Sequence, residues 1–306
     1  MLPASILAQL GPRPDDPRPV LLVVAGPTAV GKTALCVRLA QHFGTEIVSA
    51  DSRQFFREMS IGTAKPTPAE MEGVPHHFID SHSIEEEYSA GRFAADALAK
   101  LDELFQKHPL VILTGGSGLY VQAVTDGLDE LPGVLPEVRA RLQAELGAHG
   151  LGPLVAELAA TDPVAHARID PQNPQRVLRA LEITRGTGRP FTSFHTQDTA
   201  AREAARPFRV VKVALTRQRE ELYQRINQRV DNMLAEDLLD EVKRLLPHRY
   251  RPALQTVGYQ EIFGFLAGDY DWAEAVRLLQ RNTRRYAKRQ LTWLRRDAAY
   301  QWIACQ

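Results

Sequence analysis

The sequence predicts an α/β fold: a parallel sheet covered by helices on both faces, with an inserted all-helical subdomain and a helical C-terminal region. Three observations predict it. Apolar, β-branched-rich runs alternate with helix-period segments in the first part of the chain. Strand signals then vanish over 131–205, where Ala, Leu, Arg and Glu dominate. An alternating run returns at Phe208 to Leu215 and rejoins the sheet. In order, Val20 to Ala25 is a strand, a glycine turn follows, and residues 33–43 form a helix. A second strand, 46–50, ends at Asp51, and a third, 77–79, ends at Asp80. Residues 89–106 are helical by period, with Ser89 as N-cap. A fourth strand, 110–113, runs into Thr114-Gly115-Gly116-Ser117-Gly118. After Leu215 the chain reads as helical to its end. The organisation expected is a flexible, Pro-rich leader over 1–18, a core of 19–130 with 206–306, and the insertion at 131–205.

The 306 residues carry 37 basic and 37 acidic side chains, are 44% hydrophobic and are 24% charged. This excludes a disordered, collagen-like or coiled-coil chain. The longest apolar stretch, Val20 to Ala25, is far too short to cross a bilayer. The N-terminal residues have no basic start and no long apolar segment, so no signal peptide is expected. Cys36 and Cys305 make neither a disulfide framework nor a metal site. A cytoplasmic protein is the expectation. The zero net charge hides segregation: Ala275 to Arg296 holds eight basic residues and no acidic one, with Tyr286 and Trp293 interleaved. Such a helix offers RNA phosphate contacts and stacking surfaces, although a charge run also suits a merely solvated face.

Gly26-Pro27-Thr28-Ala29-Val30-Gly31-Lys32-Thr33 fits the phosphate-loop pattern, between a strand and a helix as that motif requires. Its glycines let backbone amides turn inward around an anion, and the helix start adds a positive dipole end. Lys32 reaches terminal phosphates and the Thr33 hydroxyl can hold Mg²⁺. A P-loop NTPase-like sheet is therefore expected. The companion carboxylate of a nucleotide hydrolase is missing, because the strand at 110–113 ends in Thr114-Gly115-Gly116. The loop reads as a polyphosphate site without hydrolysis. Asp51, at the end of the second strand, faces that loop across the sheet top. It suits a general base, and equally a cap for the following helix.

In order, GPTAVGKT, DSRQFF, IGTAKP, GGSGLY, QRVLRALE, TVGYQE and KRQLTWLR resemble the bacterial tRNA dimethylallyltransferase family, from about residue 20 to residue 297. The resemblance implies transfer of a dimethylallyl group from dimethylallyl diphosphate to N6 of adenine 37, in tRNAs reading codons that start with U. It implies that Asp51 is the general base and that Thr28 lies near the reacting oxygen. Lys32 and Thr33 would hold diphosphate and Mg²⁺, with Arg219 and Arg225 over the diphosphate. In one continuous helix those two arginines, about 600° apart, cannot share a face unless Arg219 lies before or at its start. Implied tRNA contacts are Asp51, Ser52, Arg53 and Gln54; Ser117 and Arg139; Gln175, Arg176, Val177, Leu178 and Arg179; Thr256, Val257, Gly258, Tyr259 and Gln260. Lys288, Arg289, Gln290, Leu291, Thr292, Trp293, Leu294 and Arg295 complete the set. For Ser117 a turn role, and for Gly258 a backbone requirement, serve as well.

Departures from the family pattern, Phe56 for Tyr and Val30 for Ser, remove no group assigned to chemistry. His76 and His77 lack a third ligand, so packing or hydrogen bonding is expected there. No two-cysteine two-histidine finger follows Trp302, so no zinc is expected. The expected enzyme is a monomer. Three other readings share parts of the pattern. An adenylate prenyltransferase of cytokinin type needs neither the insertion nor the basic helix. A small-molecule kinase uses ATP as donor. A nucleotide-regulated RNA-binding module has no use for Asp51.

Overall fold

The computed structural model describes residues 2–195, 202 and 205–305. In chain order it runs α1 (Ala4–Leu10), β1 (Val20–Ala25), α2 (Lys32–Phe43), β2 (Ile47–Ser49), α3 (Pro68–Met71), β3 (His76–His77), α4 (Ala90–Phe105), β4 (Leu110–Gly115) and α5 (Gly118–Thr125). Four further helices follow: α6 (Pro136–His149), α7 (Gly152–Thr161), α8 (Pro163–Arg168) and α9 (Pro174–Thr187). The chain then forms β5 (Arg209–Thr216), α10 (Arg219–Ala235), α11 (Leu238–Leu245), α12 (Gln260–Ala267), α13 (Trp272–Leu294) and β6 (Gln301–Ala304). It divides into two compact units: Met1–Asp126 with Glu203–Gln306, and Gly127–Arg202.

The first unit holds a six-stranded sheet in the order β3-β2-β4-β1-β5-β6, every adjacent pair parallel. β1 is central, with Val20 opposite Leu110 on one side and Arg209 on the other. All six of its side chains are buried, as a parallel strand covered on both faces requires. In α4, Phe93, Ala97, Leu101 and Leu104 recur at helical spacing and all turn into the core. Ser89 caps that helix, its Oγ accepting from Arg92 N at 3.2 Å. β3 stops at His77 because Phe78 enters the left-handed region at φ 63°. In the second unit, α6, α7 and α9 pack around Leu142, Leu154, Leu158 and Leu181.

Two expectations are corrected. The N-terminal segment is not a loose leader: Leu2, Ile6 and Leu10 are buried against the sheet. The buried Arg209 guanidinium donates to the carbonyls of Gln9, Gly11 and Arg18, which satisfies the open end of α1. Nor is the chain helical to its end, because Gln301–Ala304 adds an edge strand beside β5. Its backbone pairing and the reciprocal Gln9–Gln301 amide bonds hold it there.

Candidate active site

The strands deliver their following loops to one end of the sheet, where open parallel sheets bind ligands. The phosphate loop follows β1, Asp51 follows β2, Gly116 and Ser117 follow β4, and Arg217 follows β5. Two cross-links brace these loops. Gln290 of α13 accepts from Thr28 N at 2.9 Å and donates to Gly116 O at 2.9 Å. Ser117 Oγ accepts from Ser52 N at 3.0 Å and donates to Ser52 Oγ at 3.0 Å. Phe55, fully buried among Tyr88, Phe93 and Tyr120, anchors the segment that carries Asp51.

Between the loops lies a cavity of about 280 Å³. The phosphate loop contributes Thr28, Ala29, Gly31, Lys32 and Thr33. Ala29 sits at φ 63°, an unfavourable conformation for a residue with a Cβ and one that functional loops retain. Lys32 Nζ donates to Gly26 O and Pro27 O at 2.9 and 3.0 Å. Burial, and then the charge of Arg229, lower its pKa to about 8. Across the cavity stand Asp51, Arg53 and Gln54. Asp51 Oδ1 accepts from Arg53 N at 2.9 Å and Gln54 N at 3.4 Å, so it does cap the turn. Its second oxygen has no hydrogen bond among the described residues, and the side chain lines the cavity. Gln54 Nε2 donates to both Thr63 O and Ala64 O, at 3.2 and 3.1 Å. Both amide protons are thereby used, leaving the oxygen as the ligand-binding atom of that side chain. Val230, Met233, Val257 and Leu279 give the wall an apolar portion. Tyr286 also lines it, its phenol pushed up to about 12 by burial and by the Asp51 charge. A larger groove of about 610 Å³, between Arg57, Ile84 and His248, holds neither the phosphate loop nor Asp51.

The arginines differ from expectation. Arg225 lines the cavity, its Nε donating to Ala29 O at 2.8 Å. Arg219 is the first residue of α10 and instead lies over the Tyr223 ring, 5.3 Å from its centroid. A position at the helix start leaves Arg219 room to turn toward Arg225, but its guanidinium packs on Tyr223 and does not line the cavity. Arg229 lines the cavity in its place and donates to Thr28 Oγ1 at 3.2 Å; Arg217 does not line it, but pairs with Glu221 and braces the phosphate loop by donating from Nε to Val30 O at 3.1 Å. Arg229 was legible as the residue one turn beyond Arg225 on the same face.

Of the expected RNA positions, Arg139, Gln175, Arg176 and Arg179 are exposed on the helical unit. Val177 and Leu178 are not: they pack into that unit's core. On α13, Arg285, Lys288, Arg289 and Thr292 are exposed at helical spacing and form one stripe, with Arg295 just beyond its end. Gln290 and Leu294 are buried on the other face, and Leu291 is half-buried. Trp293 is half-buried against Gly118, where any Cβ would collide with its ring. Thr256, Val257 and Gly258 line the cavity, Gln260 is exposed, and Tyr259 is wholly buried. His77 and His108 both bond Glu46, and His76 Nδ1 lies 2.8 Å from Val74 O.

Fold and site together define a protein of P-loop-like fold whose phosphate-loop motif stands opposite a carboxylate and beside an apolar wall. A sequence profile described as IPP transferase matches residues 54–297. A tRNA dimethylallyltransferase of Cytophaga hutchinsonii is 52% identical, over 92% of each chain. The full-length tRNA isopentenylpyrophosphate transferase of Bacillus halodurans superposes with a TM-score of 0.68 at 40% identity, covering 94% of this chain and 90% of that one. A eukaryotic dimethylallyltransferase acting on tRNA gives a TM-score of 0.75 at 25% identity, over 94% and 74%. The chain belongs to the IPP transferase family.

Proposed function

We propose that this enzyme transfers the dimethylallyl group of dimethylallyl diphosphate to N6 of adenine 37 in tRNAs that read codons starting with U. The observation that carries this reading is the cavity itself, where phosphate-loop cations, a carboxylate and an apolar wall meet. The N6 lone pair attacks C1 of the allyl group, the C1–O bond breaks, and its electron pair leaves on the diphosphate. Lys32, Arg225 and Arg229 stabilise the charge that develops on that oxygen, and Thr28 Oγ1 lies beside it. Asp51 accepts the proton released from N6. The target base must leave its stack to reach this cavity.

Mg²⁺ fits the site: the Thr33 hydroxyl lines it beside Lys32, while Asp51 and Glu70 are its only acidic side chains among the described residues. When bound, the ion would neutralise diphosphate charge next to Thr33. RNA phosphates meet the α13 stripe, and the family resemblance adds Arg139, Gln175, Arg176 and Arg179. A cytoplasmic location follows from a tRNA substrate. No helix among the described residues is long and apolar enough to cross a membrane.

The test offers wild-type enzyme labelled dimethylallyl diphosphate with three acceptors: an anticodon stem-loop bearing adenine 37, the same loop with inosine there, and AMP. Label entering only the adenine stem-loop supports the proposal. Label on AMP would establish the adenylate-type reading instead.

A further inference from the structure

Glu241 of α11 is a buried acidic residue with no ion pair among the described residues. It is 3% exposed and accepts four hydrogen bonds. Oε2 takes Ser60 N at 3.0 Å and Ile61 N at 2.8 Å; Oε1 takes Gly62 N at 3.0 Å and Tyr259 Oη at 2.7 Å. Three consecutive amides thus turn inward around one carboxylate. A buried charge is expensive unless its lone pairs are satisfied, and here they are satisfied by a single short segment. Tyr259 closes the arrangement, fully buried with its ring against Gly62, where a Cβ would lie 2.6 Å from the ring. Burial, with the neighbouring Glu241 charge, pushes the Tyr259 phenol up, so it stays a donor.

The next two residues of that segment are Thr63 and Ala64, whose carbonyls hold both protons of the Gln54 amide. Gln54 in turn adjoins Asp51 through the turn that Asp51 caps. The four bonds to Glu241 therefore fix the wall that faces the general base. Among the described residues, no hydrogen bond joins this chain of contacts to the phosphate loop.

We infer that Glu241, working with Tyr259, is a positioning residue for the RNA acceptor: it sets segment 60–64 and, through it, the Gln54 amide beside Asp51. This rests on the prenyl-transfer reading. Glu241→Gln keeps size and shape but brings an NH2 group against a backbone N–H, which breaks at least one bond of the set. Tyr259→Phe removes one donor and leaves the three amides.

The experiment measures both variants against wild type in two ways. One is the dissociation constants for the anticodon stem-loop and for inorganic diphosphate, which do not require turnover. The other is KM for each substrate with kcat. Glu241→Gln is expected to weaken stem-loop binding and raise its KM roughly tenfold, with diphosphate binding and the KM of dimethylallyl diphosphate unchanged. Tyr259→Phe is expected to shift the same constants by less. A folded Glu241→Gln with wild-type stem-loop constants, or one that weakens both ligands alike, overturns the inference. If Glu241→Gln does not fold, Tyr259→Phe decides by the same criterion. Wild-type enzyme that binds both ligands but transfers nothing would fault the catalytic reading alone, and the binding constants would still decide the role of Glu241.

Discussion

Replacing Arg229 by Met separates two effects that Arg229 exerts on the phosphate site. Met keeps the length of the stem and most of its packing, and removes the guanidinium. The first effect is a lost contact. Arg229 lines the cavity and donates to Thr28 Oγ1, so in the proposed reaction its charge would meet the diphosphate there. A hydrogen bond to a charged group contributes about 1.5–3 kcal/mol. That is roughly a 10- to 150-fold fall in kcat/KM for dimethylallyl diphosphate. The second effect has the opposite sign. Burial, then the Arg229 charge, hold the Lys32 ammonium down at about 8. The cation that binds diphosphate is present below that pH and is lost as pH rises through it. The kcat/KM profile for dimethylallyl diphosphate reports the enzyme form that captures it, so its alkaline limb should fall near pH 8 in wild type. In Arg229→Met that limb should move upward, and should stay below the ordinary lysine value because burial remains. Steady-state rates from pH 6.5 to 10, with the RNA saturating, read both effects. A folded variant with unchanged kcat/KM, or with its alkaline limb unmoved, would refute the assignment of Lys32 and Arg229 to the diphosphate.

Asp51→Asn should lower the single-turnover transfer rate by about 10²- to 10⁴-fold, since Asn keeps the cap but cannot take a proton. Binding of dimethylallyl diphosphate should be unaffected, and equal weakening of both would point to a structural role for Asp51. Exchanging Arg285, Lys288 and Arg289 together for Ala should raise the RNA dissociation constant and flatten its salt dependence by up to about three phosphate contacts. An unchanged salt slope would make the α13 stripe a solvated face. Ile6→Ala should destabilise the fold by about 2–4 kcal/mol through lost burial of α1. Calorimetry showing no fall in Tm would mean that α1 does not dock in solution.

What the sequence made legible was local. The phosphate loop, its flanking strand and its helix depend on neighbours within twenty residues, and Ser89 caps α4 by contacts three residues away. Asp51 stood out because it ends an apolar run, although its two duties on one carboxylate were not separable until the amides of Arg53 and Gln54 were seen on Oδ1. The misses were tertiary. α1 is short and sits beside prolines, and what orders it is Arg209, some 200 residues away in sequence. β6 spans only Gln301–Ala304 and gains its hydrogen bonds from β5. Val177 and Leu178 share a motif with Arg176 and Arg179, but the period of α9 turns them to opposite faces. The family resemblance implies Arg219 at the diphosphate, and only its packing on the Tyr223 ring shows it elsewhere. Glu241 lies in an amphipathic helix where an acidic residue reads as solvated. Only its four donors reveal the buried role.

The phosphate loop is central, because the same motif serves nucleotide hydrolysis and kinase chemistry elsewhere. The most direct measurement is stoichiometry: wild-type enzyme, labelled dimethylallyl diphosphate and the adenine-37 stem-loop, with prenylated RNA and released diphosphate counted together, and a parallel reaction given ATP. One diphosphate per prenylated adenine, with no phosphate released from ATP, is the result expected of a loop that holds a leaving group. ATP turnover with no label in the RNA would contradict it.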